Sequence, residues 1–109
     1  MMKEISFNFE QLPWVEAKGY PEGTKIKVLR DENGARTFML KLPPGFRVEA
    51  HSHITTEQHF VLEGEYESGG QKYKKGAYRL IPPEATHGPF TSKHGATILV
   101  IWDPIKKKE

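Results

Sequence analysis

The sequence predicts an all-β domain, and three observations support that fold class. Short runs of β-favouring residues are separated by turn signals at intervals of roughly 8 to 12 residues. The 10 glycines and 8 prolines fall mainly between those runs. No apolar pattern with the helical period persists for three turns in the sequence. About nine short strands with few helices are typical of a β-sandwich or β-barrel.

The strands follow from the positions of the turn residues. The run 24–30 alternates, with Ile26 and Val28 on one face, and the Asn33 and Gly34 pair after it favours a two-residue hairpin turn. Proline and glycine at 43–45 end the partner strand, because proline cannot donate to a ladder. Glycine-containing turns at 68–70 and 93–95 close two further hairpins. Residues 8–18 permit a helical turn. The predicted strands are 24–30, 36–42, 46–53, 58–62, 65–67, 71–74, 77–81, 87–90 and 96–102.

Composition limits the class of protein. A length of 109 residues predicts a single domain over 1–109. The net charge of +2 is small, and the one lysine run, 106–108, reads as a solvated tail, so no nucleic-acid partner is expected. The absence of cysteine removes disulfides, zinc-thiolate sites and thiol nucleophiles. The longest strictly apolar run, 98–102, is too short to span a bilayer, and no signal peptide is visible, so we expect a soluble, cytoplasmic protein with no membrane partner.

A group of imidazole and carboxylate side chains is the main chemical signal. His51 and His53 are two residues apart, so a strand would aim both at one face, roughly 6.6 to 7 Å apart. A short reversal at 54–56 would return Glu57 beside them, and His87 would close the site across the barrel. A lone histidine is more often structural, but three imidazoles and a carboxylate suit one divalent transition metal ion: Fe, Mn, Zn, Ni or Cu. Such a set leaves open positions for water, substrate or dioxygen.

The spacing around these residues matches a known family. Gly45, His51, His53, Glu57 and Gly64 follow the pattern G-x5-H-x-H-x3-E-x6-G over residues 45–64. This segment resembles the first cupin motif at every fixed position. The resemblance implies a small single-domain cupin, which is a double-stranded β-helix or jelly-roll barrel with a metal ion inside one mouth.

Residues 76–91 resemble the second cupin motif, with two departures. Gly76, Pro82 and His87 match the motif. Glu84 stands where the family has glycine, and Thr91 stands where it has asparagine. Neither departing position is a metal ligand in the family, so the four-residue ligand set is unaffected. The turn before His87 and part of the pocket rim are the features that these departures put in question.

Within the cupins, residues 12–14, 23–29 and 57–64 look like the ChrR-like group. That group includes acetylacetone-cleaving dioxygenases and the zinc-binding cupin domain of ChrR anti-sigma factors, so it spans enzymes and sensors. The leading hypothesis is a metal-dependent dioxygenase, an oxidoreductase, that acts on a small enolisable or aromatic compound. The alternatives are a non-oxidative lyase or isomerase and a non-catalytic module that binds or senses a metal or small ligand. A homodimer is expected by resemblance, and also because a small open barrel leaves strand edges to cover.

His59 is the predicted catalytic residue. If Glu57 points inward, the two-residue period of a strand places His59 on the same face, beside the metal. There it would act as a fifth ligand, orient a neighbouring group, or position the substrate and move a proton. A core histidine bonded to a neighbour is the competing interpretation. Six further residues are candidates for the pocket wall, although strand aromatics are more often simple core: Phe38, Met39, Phe46, Tyr78, Arg79 and Trp102.

Overall fold

Nine strands make up nearly all the regular structure in the computed structural model, which describes residues 3–49, 55–86 and 88–104. The all-β class is therefore confirmed, and the irregular N-terminal stretch holds one 3-10 turn at Phe9–Gln11. Within the described residues, no helix has the length and apolar character needed to cross a bilayer. The strands are β1 Val15–Glu16, β2 Lys25–Glu32, β3 Ala35–Leu42, β4 Phe46–Val48, β5 Thr56–Ser68, β6 Gln71–Lys74, β7 Tyr78–Ile81, β8 Phe90–Ser92 and β9 Ala96–Asp103.

All strand pairs are antiparallel, and β5 joins the two halves of the fold. Its first half pairs with β9 and β7, and its second half pairs with β6 and β8. The strand order β1-β2-β3-β9-β5-β8-β4 therefore forms one continuous sheet that curls around the core. Because β5 lies at the centre of this curl, side chains on its inner face reach the middle of the molecule.

The core is built from alternating residues of β3, β5 and β9. Phe38 and Leu40 on β3, Val61 on β5, and Ile98 and Val100 on β9 all point inward and are buried. The two-residue period of a strand explains why these positions share one face. Burying a side chain of this size contributes about 1.5 to 3 kcal/mol, so these strands supply much of the stability of the fold.

The long strand β5 corrects one prediction. The sequence predicts two strands, at 58–62 and 65–67, whereas the structure has one strand of 13 residues. A register shift between Val61 and Glu63 and the positive φ of Gly64 (71°) allow the strand to bend without ending. A Cβ at Gly64 would collide with the carbonyl oxygen of Gly95, so only glycine fits where β5 passes β9.

Other predicted boundaries hold in part. The hairpin turn at Asn33 and Gly34 is confirmed, with φ values of 51° and 83°. The predicted strand 46–53 is shorter, because β4 ends at Val48 and residues 50–53 lie outside the described part of the chain. The predicted strand 87–90 is displaced: β8 begins only at Phe90, because Pro89 has no N–H to donate to a ladder.

Candidate functional site

A cavity of about 60 Å³ lies inside the curl of the sheet. Its wall is almost entirely aliphatic and aromatic, with Glu57 and His59 as the two ionisable groups other than a tyrosine, Tyr20. Of the six residues predicted for the wall, Phe38, Phe46 and Trp102 line the cavity, whereas Met39, Tyr78 and Arg79 do not. The neighbours of Met39 and Tyr78 on their strands face inward. Because successive side chains of a strand point to opposite faces, Met39 and Tyr78 point away from the cavity.

Glu57 and His59 project from the same face of β5. Glu57 is 6% exposed and His59 is 5% exposed, which confirms that the two-residue period places both inward. The Nε2 atom of His59 lies 2.5 Å from Oε2 of Glu57. A buried carboxylate is costly without a donor, so this hydrogen bond explains how Glu57 can sit in an apolar cavity.

Tyr66 continues the hydrogen bonding behind His59. Its hydroxyl lies 2.6 Å from Nδ1 of His59, and the side chain is 1% exposed. Burial raises the pKa of the Tyr66 hydroxyl to about 12, although the nearby guanidinium of Arg79 acts in the opposite direction. Tyr66 therefore keeps its proton across the physiological range and is available as a hydrogen-bond donor.

Arg79 is held between aromatic rings on the strand beside β5. It is the cross-strand partner of His59 on β7. Its guanidinium carbon lies 4.8 Å from the ring centre of Tyr73 and 5.4 Å from that of Phe90. Cation–π contacts of this kind restrain the guanidinium beside these two rings.

Tyr20 is a cavity residue that sequence reasoning missed. Burial raises the pKa of its hydroxyl, the negative charge of Glu57 adds to that rise, and Arg36 opposes it. Tyr20 therefore presents a neutral hydroxyl at the cavity that feels the charge of Glu57. It lies in a loop before β2, where no strand period indicates a facing, so no sequence signal distinguishes it.

Trp102 is the cross-strand neighbour of Glu57. The two residues are register partners on β9 and β5, and both line the cavity. The Trp102 ring packs edge-on against Phe38, with 5.3 Å between ring centres. The apolar side chains of the cavity wall therefore lie directly beside the carboxylate of Glu57.

The predicted ligand set is described only in part. Glu57 lies at the cavity, whereas His51, His53 and His87 lie outside the described residues. Within residues 3–49, 55–86 and 88–104, no three His, Cys, Asp or Glu side chains are grouped to hold a metal ion. A buried carboxylate that faces an apolar cavity has the chemistry expected of an oxygen ligand, so the one described position fits the predicted set.

Comparison with known proteins then identifies the family. The model of the ChrR cupin-like domain matches residues 2–106. The chain belongs to this cupin family. This membership confirms both the cupin resemblance and its narrower ChrR-like form. A search of curated proteins finds no match.

Solved structures place the fold among cupin jelly rolls. An RmlC-like cupin from Shewanella frigidimarina is 21% identical, with 97% of this chain and 95% of that chain covered and a TM-score of 0.78. A candidate acetylacetone dioxygenase from Methylibium petroleiphilum is 19% identical, with 97% of this chain and 88% of that chain covered and a TM-score of 0.83. A chain from the Rhodobacter sphaeroides complex of SigE with the anti-sigma ChrR is 23% identical, with 88% of this chain and 52% of that chain covered and a TM-score of 0.71. At these identities the likeness establishes the cupin fold alone.

Proposed function

We propose that this cupin binds one divalent metal ion and acts as a metal-dependent dioxygenase on a small enolisable or aromatic compound. The observation that carries the proposal is the buried carboxylate of Glu57 at an otherwise apolar cavity, within a motif that supplies two imidazoles, while the second motif supplies a third. His51, His53, Glu57 and His87 would hold the ion, whose identity among Fe, Mn, Zn, Ni and Cu the ligand types leave open. When bound, such an ion supplies Lewis-acid polarisation of a substrate oxygen and, if redox-active, chemistry with dioxygen.

The cavity limits the substrate by size and polarity. A cavity volume of about 60 Å³ restricts the site to small compounds. The aromatic and aliphatic wall favours a small, largely apolar compound and excludes water from it. The Tyr20 hydroxyl at the same cavity can donate one hydrogen bond to a substrate oxygen. These features support a compact diketone or phenol over a sugar or a nucleotide.

His59 has a defined part in this proposal. Both of its ring nitrogens are within hydrogen-bond distance of protein groups, Glu57 on one side and Tyr66 on the other. Through these contacts His59 would orient the carboxylate of Glu57. Orienting a neighbouring group is one of the roles that the sequence predicts for His59. Proton transfer by His59 to a substrate requires the Glu57 contact to open first.

The likeness to a chain of the SigE–ChrR complex favours a second candidate function. In that interpretation the cupin is a module that senses a metal or small ligand and catalyses nothing. The present chain covers only 52% of the matched chain, so the match does not include the rest of that protein. A regulatory protein partner therefore belongs to this second proposal. A non-oxidative lyase or isomerase has the same ligand requirement, and the identity of the bound metal distinguishes it from the dioxygenase.

Elemental analysis of the purified protein, beside a His51→Ala/His53→Ala double variant, tests metal binding. One equivalent of metal in the wild type and none in the variant is expected. Oxygen uptake by the iron-loaded protein with a panel of diketones and phenols then tests the reaction. Metal without oxygen uptake contradicts the dioxygenase and leaves the lyase, isomerase and sensor candidates, whereas equal metal in both proteins contradicts the site.

We further propose that the protein is a homodimer. Among the described residues, seven large apolar side chains are between 42% and 59% exposed: Ile5, Phe7, Phe9, Val15, Val28, Tyr78 and Leu80. Exposed apolar surface of this kind supports association with a second copy. Sedimentation equilibrium is expected to give twice the chain mass, and a monomer at micromolar concentration contradicts the proposal. The cytoplasmic location remains a prediction from the sequence.

A further inference from the structure

A row of paired residues crosses the inner face of the sheet at one end of the cavity. Arg36 on β3 is the register partner of Trp102 on β9, and Trp102 is the register partner of Glu57 on β5. Arg36 shares the inner face with Phe38, because the two are two residues apart on β3 and no register shift separates them. Phe38, Trp102 and Glu57 line the cavity. Arg36 therefore lies at the same end of the cavity as the carboxylate of Glu57, two strands away.

Two aromatic rings of the cavity wall hold the guanidinium of Arg36. Its carbon lies 4.9 Å from the ring centre of Phe38 and 5.3 Å from that of Trp102. Cation–π contacts of this kind restrain a guanidinium through its charge and do not occupy its N–H groups. The rings therefore fix the position of the Arg36 guanidinium beside the cavity and leave its donors available for another partner.

The donors of Arg36 are only partly used within the part of the chain that the structure describes. Nε lies 3.3 Å from Oδ2 of Asp31, its register partner on β2, although this ion pair lacks the geometry of a hydrogen bond. No described residue accepts a hydrogen bond from either terminal amino group, and the side chain is 29% exposed. A guanidinium presents its N–H groups as a planar fork that matches the two oxygens of a carboxylate. The terminal amino groups therefore form a free fork for an anion.

The charges around the cavity favour an anion at Arg36 over other positions. The wall is aliphatic and aromatic, and the negative charge of Glu57 repels a carboxylate placed against it. Two strand spacings, roughly 9 to 10 Å, separate the backbone of Arg36 from that of Glu57, so a small compound can lie between the two side chains. The Tyr20 hydroxyl lines the same cavity, and its pKa is raised by the charge of Glu57 and lowered by that of Arg36. Tyr20 can therefore donate a hydrogen bond to a compound held at this end.

We propose that Arg36 binds a carboxylate group of the substrate, and that the cavity accepts small carboxylates with an aliphatic or aromatic body. The two terminal amino groups would donate parallel hydrogen bonds to the two carboxylate oxygens. The body of the compound would then lie against Phe38 and Trp102 and point toward Glu57. An anion in an apolar cavity is costly without such a partner. This inference rests on the proposed function and deepens it, because it adds a charged group to the small enolisable or aromatic compound.

A matched pair of unreactive probes separates the charge of a compound from its shape. Isobutyrate and 3-methylbutan-2-one differ only in that one carboxylate oxygen of the first is a methyl group in the second. Dissociation constants are measured by NMR titration of the full-length protein as purified. We expect the wild type to bind isobutyrate at least about tenfold more tightly, since a hydrogen bond to a charged group is worth about a factor of ten or more. Equal affinity for the two probes, or no binding of isobutyrate, overturns the inference.

Arg36→Met and Arg30→Met are the matched variants. Arg30 lies on β2, its register partner Thr37 faces outward, and its side chain is 34% exposed, close to the value for Arg36. Each substitution removes one positive charge from the same hairpin, but only Arg36 faces the cavity. We expect about a 10- to 100-fold loss of isobutyrate affinity in Arg36→Met. At most about a twofold change is expected in Arg30→Met, because solvent and salt screen an outward charge. Equal losses in the two variants overturn the inference.

A second variant and a second assay keep the outcomes separate. Arg36→Gln removes the charge but keeps a polar side chain, so it is expected to show a similar loss if Arg36→Met does not fold. Affinity for 3-methylbutan-2-one is expected to change by at most about twofold in every folded variant, since this probe has no charge to lose. If the wild type holds no metal but Arg36→Met loses isobutyrate, the inference stands and the proposed function fails. If the iron-loaded wild type consumes oxygen with neutral diketones while both probes bind equally, the proposed function stands and the inference fails.

Discussion

His59 and Tyr66 are hydrogen-bonded across 2.6 Å although they are seven residues apart on one strand. In a regular strand an odd separation places two side chains on opposite faces. The register shift between Val61 and Glu63 adds one residue to β5, so that Tyr66 returns to the face that carries Glu57 and His59. The bulge therefore creates the hydrogen-bonded series, and its loss would separate His59 from Tyr66.

Gly64→Ala is expected to be severely destabilising. The new Cβ would collide with the Gly95 carbonyl oxygen and lie 2.9 Å from the Ala96 Cα, both parts of the backbone, which cannot swing aside. We expect a loss of at least about 3 kcal/mol in the free energy of unfolding, measured by urea titration. Gly70→Ala is the control, since Gly70 also has a positive φ (80°) but nothing lies within 4 Å of the new atom. Similar losses in both variants would mean that backbone strain, and not the contact with β9, limits position 64.

Glu84→Gly is expected to stabilise the protein. Glu84 has a φ of 63°, a left-handed conformation that costs a non-glycine residue about 1 to 2 kcal/mol. Glycine removes this cost but gains freedom in the unfolded chain, so a net gain of about 0.5 to 1 kcal/mol is expected. Asn33→Gly is the control: Asn33 has a φ of 51°, but asparagine tolerates this region, so a smaller change is expected in thermal unfolding. Destabilisation by Glu84→Gly would contradict the strain at this turn.

Alkaline pH is expected to destabilise the wild type through Tyr66. Its folded pKa of about 12 lies above the ordinary tyrosine value of 10.0, so the contribution of this group is fully present below pH 10 and is lost as pH rises toward 12. The loss from this residue amounts to about 2 to 3 kcal/mol. Urea unfolding across this range is expected to show a shallower decline for Tyr66→Phe than for Tyr73→Phe. Equal slopes would show that Tyr66 is not the group responsible.

Trp102 is expected to report binding in the cavity. It is the register partner of Glu57, whereas Trp14 contacts Lys27 and Lys41 elsewhere on the sheet. If Glu57 holds a metal ion, addition of Cu²⁺ to the Trp14→Phe variant should quench the remaining fluorescence at one equivalent. The Trp102→Phe variant should respond weakly. A stronger response from Trp14 would place the ion outside the cavity.

The sequence by itself determined the fold class and the inner face of one strand segment. Alternation and turn residues predicted an all-β chain, and the spacing over residues 45–64 predicted a cupin. The two-residue period also predicted that Glu57 and His59 point the same way, because both precede the bulge in β5. These conclusions depend on local geometry, which neighbouring residues in the chain define.

Only the tertiary structure decided which residues stand behind His59. Tyr66 lies beyond the bulge, so the sequence period assigns it to the wrong face. Arg79 lies beside His59 through the pairing of β5 with β7, and Tyr20 reaches the cavity from a loop. The predicted break at residues 63 and 64 is instead a bend, because the tight passage of β5 over Gly95 excludes a side chain there. Such contacts join residues distant in the chain, and the period of a single strand carries no information about them.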